Sequence, residues 1–156
     1  MLYSTDASLY QIQPVGVVLP KTVNDVQATL EIARKHKIPV LPRGGGSSLA
    51  GQTVGAAIII DFSRYMNQVL DVDEEALTAR VQPGINFAAL NGSLSKRGIM
   101  IGPDPASANR ATIGGSIGNN ATGSHSILYG MMADNVLATD VILSDASLVR
   151  FGPVDS

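Results

Sequence analysis

Apolar positions in the first part of the chain change from a continuous run to a helical repeat. Residues 15–19 form a short apolar run that ends at Pro20 and is typical of a strand. From residue 23 to residue 33, apolar residues recur three or four positions apart, which predicts an amphipathic helix. Thr22 and Asp25 have the spacing of a capping box, so we expect the helix to begin there.

Two more apolar runs, residues 38–41 and residues 57–60, lie on either side of a glycine-rich stretch. Each run is short and continuous, as in a buried strand. Together with the first strand and the helix, they predict a β-α-β-loop-β lobe over about residues 1–63.

The second part of the chain predicts two hairpins. Residues 69–72 and 77–81 flank an acidic turn, and residues 136–143 and 148–151 form a similar pair near the end. No internal repeat is evident. We therefore expect an α+β fold in which two small α/β lobes, the second over about residues 64–156, meet through their loops.

A helix and a long loop region lie between these hairpins. Asn86 can cap a helix whose apolar side chains are Phe87, Leu90 and Leu94, and Gly98 can end it. Residues 102–130 then show little periodicity and are rich in turn-forming residues. Such a length of irregular chain is unusual in a compact domain unless it has a function.

The composition of the chain excludes several classes of protein and of site. The chain has 156 residues, of which 45% are hydrophobic and 15% charged, so it can bury a core. A net charge of −2 argues against a nucleic-acid surface. No cysteine is present, which excludes disulfides, iron–sulfur ligation and thiolate zinc sites within the chain. Residues 1–6 lack a signal-peptide profile and no apolar run could span a membrane, so we expect a soluble, cytoplasmic protein.

The stretch LPRGGGSSLAGQ, residues 41–52, has the composition of a phosphate-binding loop. Glycines let successive backbone N–H groups converge, because no Cβ stands in the way. Arg43 adds a forked cation, and Ser47 and Ser48 add hydroxyl donors. Two common phosphate motifs fail: Leu49 occupies the third glycine of G-x-G-x-x-G, and Gln52 occupies the lysine of a P-loop. A glycine-rich turn without a ligand remains the alternative.

The second glycine-rich region favours the phosphate interpretation. Within residues 102–130 it offers backbone donors at Gly114 and Gly115 and side-chain donors at Asn119, Asn120 and Ser124, with few charges. Neutral donors suit an extended diphosphate with polar and aromatic ends. One glycine loop in each lobe implies a long ligand that lies between the lobes.

Several ordered motifs resemble one family. They are PRGGGSSLAGQ (42–52), PG (83–84), GPDPAS (102–107), ATIGGSIGNN (111–120) and HSILYG (125–130). In this combination the chain resembles the FAD-binding domain of the vanillyl-alcohol-oxidase/p-cresol-methylhydroxylase (PCMH) superfamily. The resemblance is strongest to the FAD-linked oxidases of the glycolate oxidase, D-lactate dehydrogenase and D-2-hydroxyglutarate dehydrogenase branch, and within it to large enzymes with an added iron–sulfur module.

The resemblance implies a set of FAD-binding residues. Residues 44–48 would wrap the pyrophosphate, Arg43 and Gly51 would shape the turn, Gln52 would lie at its far end, and the second region would line the rest of the cofactor. The full set is Arg43, Gly44, Gly45, Gly46, Ser47, Ser48, Gly51, Gln52, Pro105, Thr112, Gly114, Gly115, Asn120, Gly123 and Ser124.

Two departures from the family pattern carry information. Members with covalent flavin often have histidine where this chain has Ser47, so noncovalent FAD is implied. The last hairpin has SDAS at residues 144–147 where relatives have an Asp-Gly turn, and the chain stops soon afterwards. We therefore expect an N-terminal fragment, without catalytic residues of its own, whose parent enzyme oxidises a small 2-hydroxy acid by hydride transfer to flavin N5.

Other residues and other functions are weaker candidates. His125 is expected to pack in its loop or face solvent, and Asp104, between two prolines, to form a turn. Met131 and Met132 are expected in the core, and no set of residues composes a metal site or a nucleophile triad. A reductase of the UDP-N-acetylenolpyruvoylglucosamine reductase type and a nucleotide-binding module without catalysis stay open as alternatives.

Overall fold

The computed structural model describes residues 2–153, so the expected lobe limits at residues 1 and 156 lie outside the described residues. The chain mixes helices with strands in three small sheets. The elements in chain order are β1 (Gly16–Val18), α1 (Val23–His36), β2 (Val40–Arg43), β3 (Ile58–Asp61), β4 (Val69–Asp73), β5 (Thr78–Val81), α2 (Phe87–Leu94), a 3-10 turn (Ser95–Arg97), α3 (Ile113–Gly118), α4 (Ser126–Tyr129), a second 3-10 turn (Ala133–Asn135), β6 (Thr139–Ile142) and β7 (Leu148–Phe151).

Helix α1 begins at the predicted capping box. The Asp25 N–H donates to Thr22 Oγ1 over 3.2 Å, and the Thr22 N–H donates to the Asp25 carboxylate over 2.9 Å. The Lys21 N–H donates to the same carboxylate, and these hydrogen bonds hold the pKa of Asp25 below its ordinary value. The helix ends at Lys37, which lies in the left-handed region with φ of 53°.

Strands β1, β3 and β2 form a parallel sheet with β3 in the centre. Ile59 and Ile60 of β3 are almost fully buried, as the apolar run predicts. Strand β2 begins at Val40, two residues later than predicted. The reason is that the Ile38 N–H donates to the Ala33 carbonyl and so completes the end of α1.

Both predicted hairpins form, as the antiparallel pairs β4–β5 and β6–β7. Strand β5 begins after Leu77, whose φ of 53° makes it part of the turn. Strand β6 begins at Thr139 instead of residue 136, because the Val136 N–H still donates back to Ala133 in a 3-10 turn. Exposed ion pairs join Asp140 to Arg80 and Arg150 at the faces of the two hairpins.

The expectation of irregular structure throughout residues 102–130 is wrong at two places, since α3 and α4 are short helices. Helix α3 begins at Thr112, whose side chain accepts a hydrogen bond from the Gly115 N–H. Two adjacent glycines lower the helix propensity of this sequence, so its pattern gives no helical signal. The helix is fixed instead by a distant partner, because the Gly114 N–H donates to the Pro83 carbonyl over 2.9 Å.

Two hydrophobic clusters form the core. Val26, Ile60 and Met66 form the first, between α1 and the parallel sheet. The second is larger and is built on Ile85, Phe87, Leu90, Leu94, Ala111, Ile113 and Met132. Ile142 of β6 packs against the first cluster, so the last hairpin lies beside α1. In residues 2–153, no helix is both long and apolar enough to cross a membrane.

Candidate functional site

The glycine loop follows β2 directly and turns sharply. Gly46 and Gly51 have φ of 63° and 76°, in the left-handed region that side chains other than glycine rarely adopt. Between them lie Ser47 and Ser48, whose hydroxyl groups donate no hydrogen bond to any residue in the described part of the chain. The loop therefore presents small polar groups between two positions whose backbone conformation favours glycine.

The backbone N–H groups of this loop have no acceptors within residues 2–153. None of the N–H groups from Gly44 to Leu49 donates a hydrogen bond to a described residue. The first N–H beyond them, that of Ala50, donates to Ser48 Oγ over 3.4 Å. Native backbone donors are almost always paired with protein or water, so a run of N–H groups without protein acceptors is available to bind water or an anion.

Residues 110–112 pack directly against the first two glycines of the loop. A Cβ added at Gly44 would overlap the Thr112 hydroxyl, and one added at Gly45 would overlap the Arg110 carbonyl. The glycines are thus needed for the close approach of two chain segments as well as for backbone conformation. This contact joins the first glycine region to the N-terminus of α3.

Arg43 ties the two ends of the loop together. Its guanidinium donates to the Thr53 carbonyl over 3.0 Å and to the Thr5 carbonyl over 2.9 Å. The guanidinium carbon also lies 5.4 Å from the centre of the Tyr3 ring. Two arms of the expected forked cation therefore donate to carbonyl groups of the protein itself.

The far end of the loop contacts the end of α3. The Gln52 side chain donates to Asn119 Oδ1 over 3.1 Å, and the Asn119 amide donates to the Gly115 carbonyl. The loop and the second glycine-rich region thus meet near Thr112 and again at Asn119. Gly114 and Gly115, expected to offer free backbone donors, instead donate to the Pro83 carbonyl and to Thr112 Oγ1.

The remaining predicted residues lie in a separate group. The Ser124 N–H and hydroxyl both donate to Asp104, each over 3.1 Å, and Gly123 packs so closely on the Asp104 backbone that no Cβ would fit. Pro105 is buried beside them. Asn120 accepts from the Ala133 N–H over 2.9 Å. Within the described residues, no hydrogen bond joins this group to the glycine loop.

His125, Met131 and Met132 are the weaker candidates for a functional role. His125 is half-exposed, with Nε2 4.0 Å from the Asp104 carboxylate and its ring edge against Tyr129. Met132 is buried as expected, but Met131 is 44% exposed. Residues 2–153 contain no group of three or more histidine, aspartate or glutamate side chains that could hold a metal ion.

The N-terminal residues beside the loop were missed by the sequence reasoning. The Tyr3 hydroxyl donates to Asp61 over 2.8 Å, and burial, followed by this hydrogen bond, raises the pKa of Tyr3. Asp6 accepts from Thr53 and from the Ser8 N–H; burial alone would raise its pKa, but these hydrogen bonds outweigh it and lower the pKa. Residues 3–8 carry no periodic pattern, and Asp61 and Thr53 are far from them in sequence, so no local signal predicts the contacts with these two residues.

Comparison with known proteins identifies a family. Residues 14–152 match the family model described as FAD binding domain. The chain is 36% identical over 155 residues to the glycolate oxidase subunit GlcD of Bacillus subtilis, covering 97% of this chain and 33% of that protein. It is 35% identical to the D-2-hydroxyglutarate dehydrogenase of Escherichia coli, covering 97% of this chain and 15% of that protein. The chain thus spans about a third or less of these relatives.

Solved structures share the fold. The chain superposes on an alkyldihydroxyacetonephosphate synthase with a TM-score of 0.80 and 29% identity, covering 89% of this chain and 26% of the other. It superposes on the 6-hydroxy-D-nicotine oxidase of Arthrobacter nicotinovorans with a TM-score of 0.83 and 20% identity, covering 95% and 32%; that likeness concerns the fold alone. Since the family model covers most of the chain and includes both glycine regions, the chain belongs to the family of FAD binding domains.

Proposed function

We propose that the backbone N–H groups of residues 44–49 bind the diphosphate of FAD. The observation that carries this proposal is the run of N–H groups without acceptors in the described part of the chain. The free hydroxyls of Ser47 and Ser48 add neutral donors beside them. A diphosphate supplies several oxygen acceptors, so a set of neutral donors of this kind suits the group.

The cofactor would lie between the two proposed lobes, residues 1–63 and residues 64–156. The loop belongs to the first lobe, and it touches the second at Thr112 and Asn119. Thr112 is buried and holds the start of α3, so the second lobe would offer a fixed wall to a ligand lying on the loop. Pro105, Asn120, Gly123 and Ser124 would line a more distant part of the cofactor.

FAD would be held without a covalent bond. The resemblance to the superfamily supports this, because members with covalent flavin often have histidine at the position of Ser47, and His36 lies at the end of α1. With a serine hydroxyl in place of that histidine, binding would depend on noncovalent contacts. Acid precipitation of the full-length protein should release all of its flavin into the supernatant, and yellow colour that stays in the pellet contradicts this proposal.

The full-length protein would be a flavin-dependent oxidoreductase that oxidises a small 2-hydroxy acid. The named activities of two relatives, glycolate oxidase and D-2-hydroxyglutarate dehydrogenase, support this substrate class. Bound FAD would supply the hydride acceptor. The chain itself would hold and orient the cofactor, while the catalytic base, the carboxylate-binding groups and any iron–sulfur module would belong to other parts of the protein. A cytoplasmic location, with which the absence of cysteine is compatible, remains a proposal.

The substitution Gly45→Val tests the placement of the diphosphate. Its side chain would overlap the Arg110 carbonyl and push the loop out of position, so we expect FAD binding to be lost in the full-length protein. Gly92→Val is the matched control, because a Cβ at Gly92 in α2 has no neighbour within 4 Å. FAD affinity is measured by flavin fluorescence and folding by circular dichroism. A folded Gly45→Val protein with unchanged FAD affinity would show that residues 44–49 are not the diphosphate loop.

A further inference from the structure

Residues 3–10, which we call the N-terminal strap, lie against the glycine loop and precede the region matched by the family model, residues 14–152. The strap is a compact turn of its own. The Ile12 N–H donates to the Ser4 carbonyl over 2.9 Å, and Thr5 pairs with Gln11. Inside the turn, the Ser8 N–H donates to the Asp6 carboxylate over 2.8 Å.

The strap holds the point where the chain enters the loop. Arg43, the last residue of β2, donates to the Thr5 carbonyl and lies over the Tyr3 ring. Tyr3 in turn donates to Asp61, the last residue of β3 and 7% exposed. These contacts fix the ends of two neighbouring strands at the edge of the sheet from which the loop starts.

The strap also holds the middle and the exit of the loop. The Ala7 N–H donates to the Gly46 carbonyl over 3.1 Å, which fixes the residue with φ of 63°. The Tyr10 ring packs on Gly51, and Thr53 donates from its hydroxyl to the Asp6 carboxylate over 2.8 Å. The loop is therefore tied at its entry, its middle and its exit by one short segment that makes none of the proposed phosphate contacts.

We propose that the N-terminal strap sets the glycine loop in its diphosphate-binding conformation before FAD arrives, with Asp6 and Thr53 as positioning residues. This inference rests on the proposed function of the loop. A glycine-rich segment has many accessible backbone conformations, and converging N–H dipoles repel one another when no anion lies between them. A segment that fixes such a loop in the free protein reduces the conformational entropy that is lost when FAD binds, and so raises the affinity for FAD.

The hydrogen bond between Thr53 and Asp6 is the contact to change, because Thr53→Val removes it and preserves the side-chain volume. In the full-length protein, Thr53→Val should weaken FAD binding about tenfold, as expected for a hydrogen bond to a charged group. Thr53→Ser keeps the hydroxyl and should restore the affinity. Asp6→Ala should weaken binding at least as much, because it also removes the acceptor of the Ser8 N–H. The double variant should bind FAD no more weakly than Asp6→Ala alone, since Thr53→Val removes a contact that Asp6→Ala already lacks. Thr78→Val, at the start of β5, is the matched control.

FAD dissociation constants and the urea unfolding of the flavin-free protein are measured for each variant. The proposal predicts weaker FAD binding in Thr53→Val and rescue by Thr53→Ser. Because the hydrogen bond is already formed in the flavin-free protein, Thr53→Val should also lower the free energy of unfolding of that protein, by no more than this one hydrogen bond contributes, and Thr53→Ser should restore it. Riboflavin, which lacks the diphosphate, should bind all variants equally.

Two results would refute the proposed role of the strap. Both can be distinguished from a result that refutes the proposed function of the loop. Unchanged FAD affinity in Thr53→Val, while Gly45→Val still loses FAD, refutes the strap and leaves the diphosphate loop in place. Weakened affinity that Thr53→Ser does not restore, together with an equal loss of stability in the flavin-free protein, reduces the strap to a structural role. If Gly45→Val keeps its FAD affinity, the proposed function of the loop fails first.

Discussion

Leu77 has an unusual backbone conformation for an apolar side chain. It ends the turn between β4 and β5 with φ of 53°, and its side chain is 69% exposed. The left-handed region brings Cβ close to the following carbonyl in every residue except glycine, and little packing compensates for this at an exposed position. A glycine is the usual solution at such a place in a hairpin.

The substitution Leu77→Gly should therefore stabilise the protein. We expect the free energy of unfolding to rise by about 0.5–1 kcal/mol. This net value is the backbone strain that the substitution relieves, minus the cost of the greater backbone entropy that glycine has in the unfolded chain. Urea unfolding followed by circular dichroism measures the change. Leu148→Gly, at an exposed strand position, is the control and should lower the free energy of unfolding. If Leu77→Gly destabilises as much as the control, the strain at Leu77 is refuted.

Among the elements, α1 shows how much a local pattern predicts. Its apolar repeat, its capping box and its basic last turn all lie within residues 22–37, and the structure confirms the helix and its N-terminal cap. Helix α3 shows the opposite case. It is held by the Pro83 carbonyl and by the buried Thr112, which are partners that its own glycine-rich sequence does not indicate.

The Asp25 cap has a predicted pH dependence. Hydrogen bonds from the Lys21 and Thr22 N–H groups lower the pKa of Asp25, so folding favours its ionised form. This contribution is fully present above the unfolded-state pKa, about 3.9, and is lost as pH falls through the lower folded-state pKa.

The free energies of unfolding of the unchanged protein and of Asp25→Asn, measured by urea from pH 7 down to about pH 3, report this contribution directly. The advantage of the unchanged protein should be constant at neutral pH and shrink below about pH 4. Asp6 and Asp145, whose pKa values are also lowered, affect both proteins alike. A difference that stays constant to the lowest pH contradicts the role of ionised Asp25 in the cap.

At the scale of the whole molecule, the two ends of the described chain return to the first part of the fold. The strap contacts the glycine loop, and the β6–β7 hairpin contacts α1 through Ile142 and through a hydrogen bond from Gln27 to the Ala146 carbonyl. Neither contact could be predicted from the sequence, because Gln27 and Ala146 are 119 residues apart. The glycines at 44–46 did indicate the loop, because a missing Cβ can be read from the sequence: it allows the close approach at Gly44 and Gly45 and the positive φ at Gly46.

The central claim is that the N–H groups of Gly44–Leu49 bind the FAD diphosphate. The most direct measurement is the amide proton–nitrogen correlation spectrum of the protein, titrated with FAD and, separately, with riboflavin. New hydrogen bonds to phosphate oxygens should shift the amide signals of residues 44–49 when FAD is added, and riboflavin should leave them unmoved. If FAD shifts other amides and leaves these unchanged, or if riboflavin shifts them as much as FAD does, the loop does not bind the diphosphate.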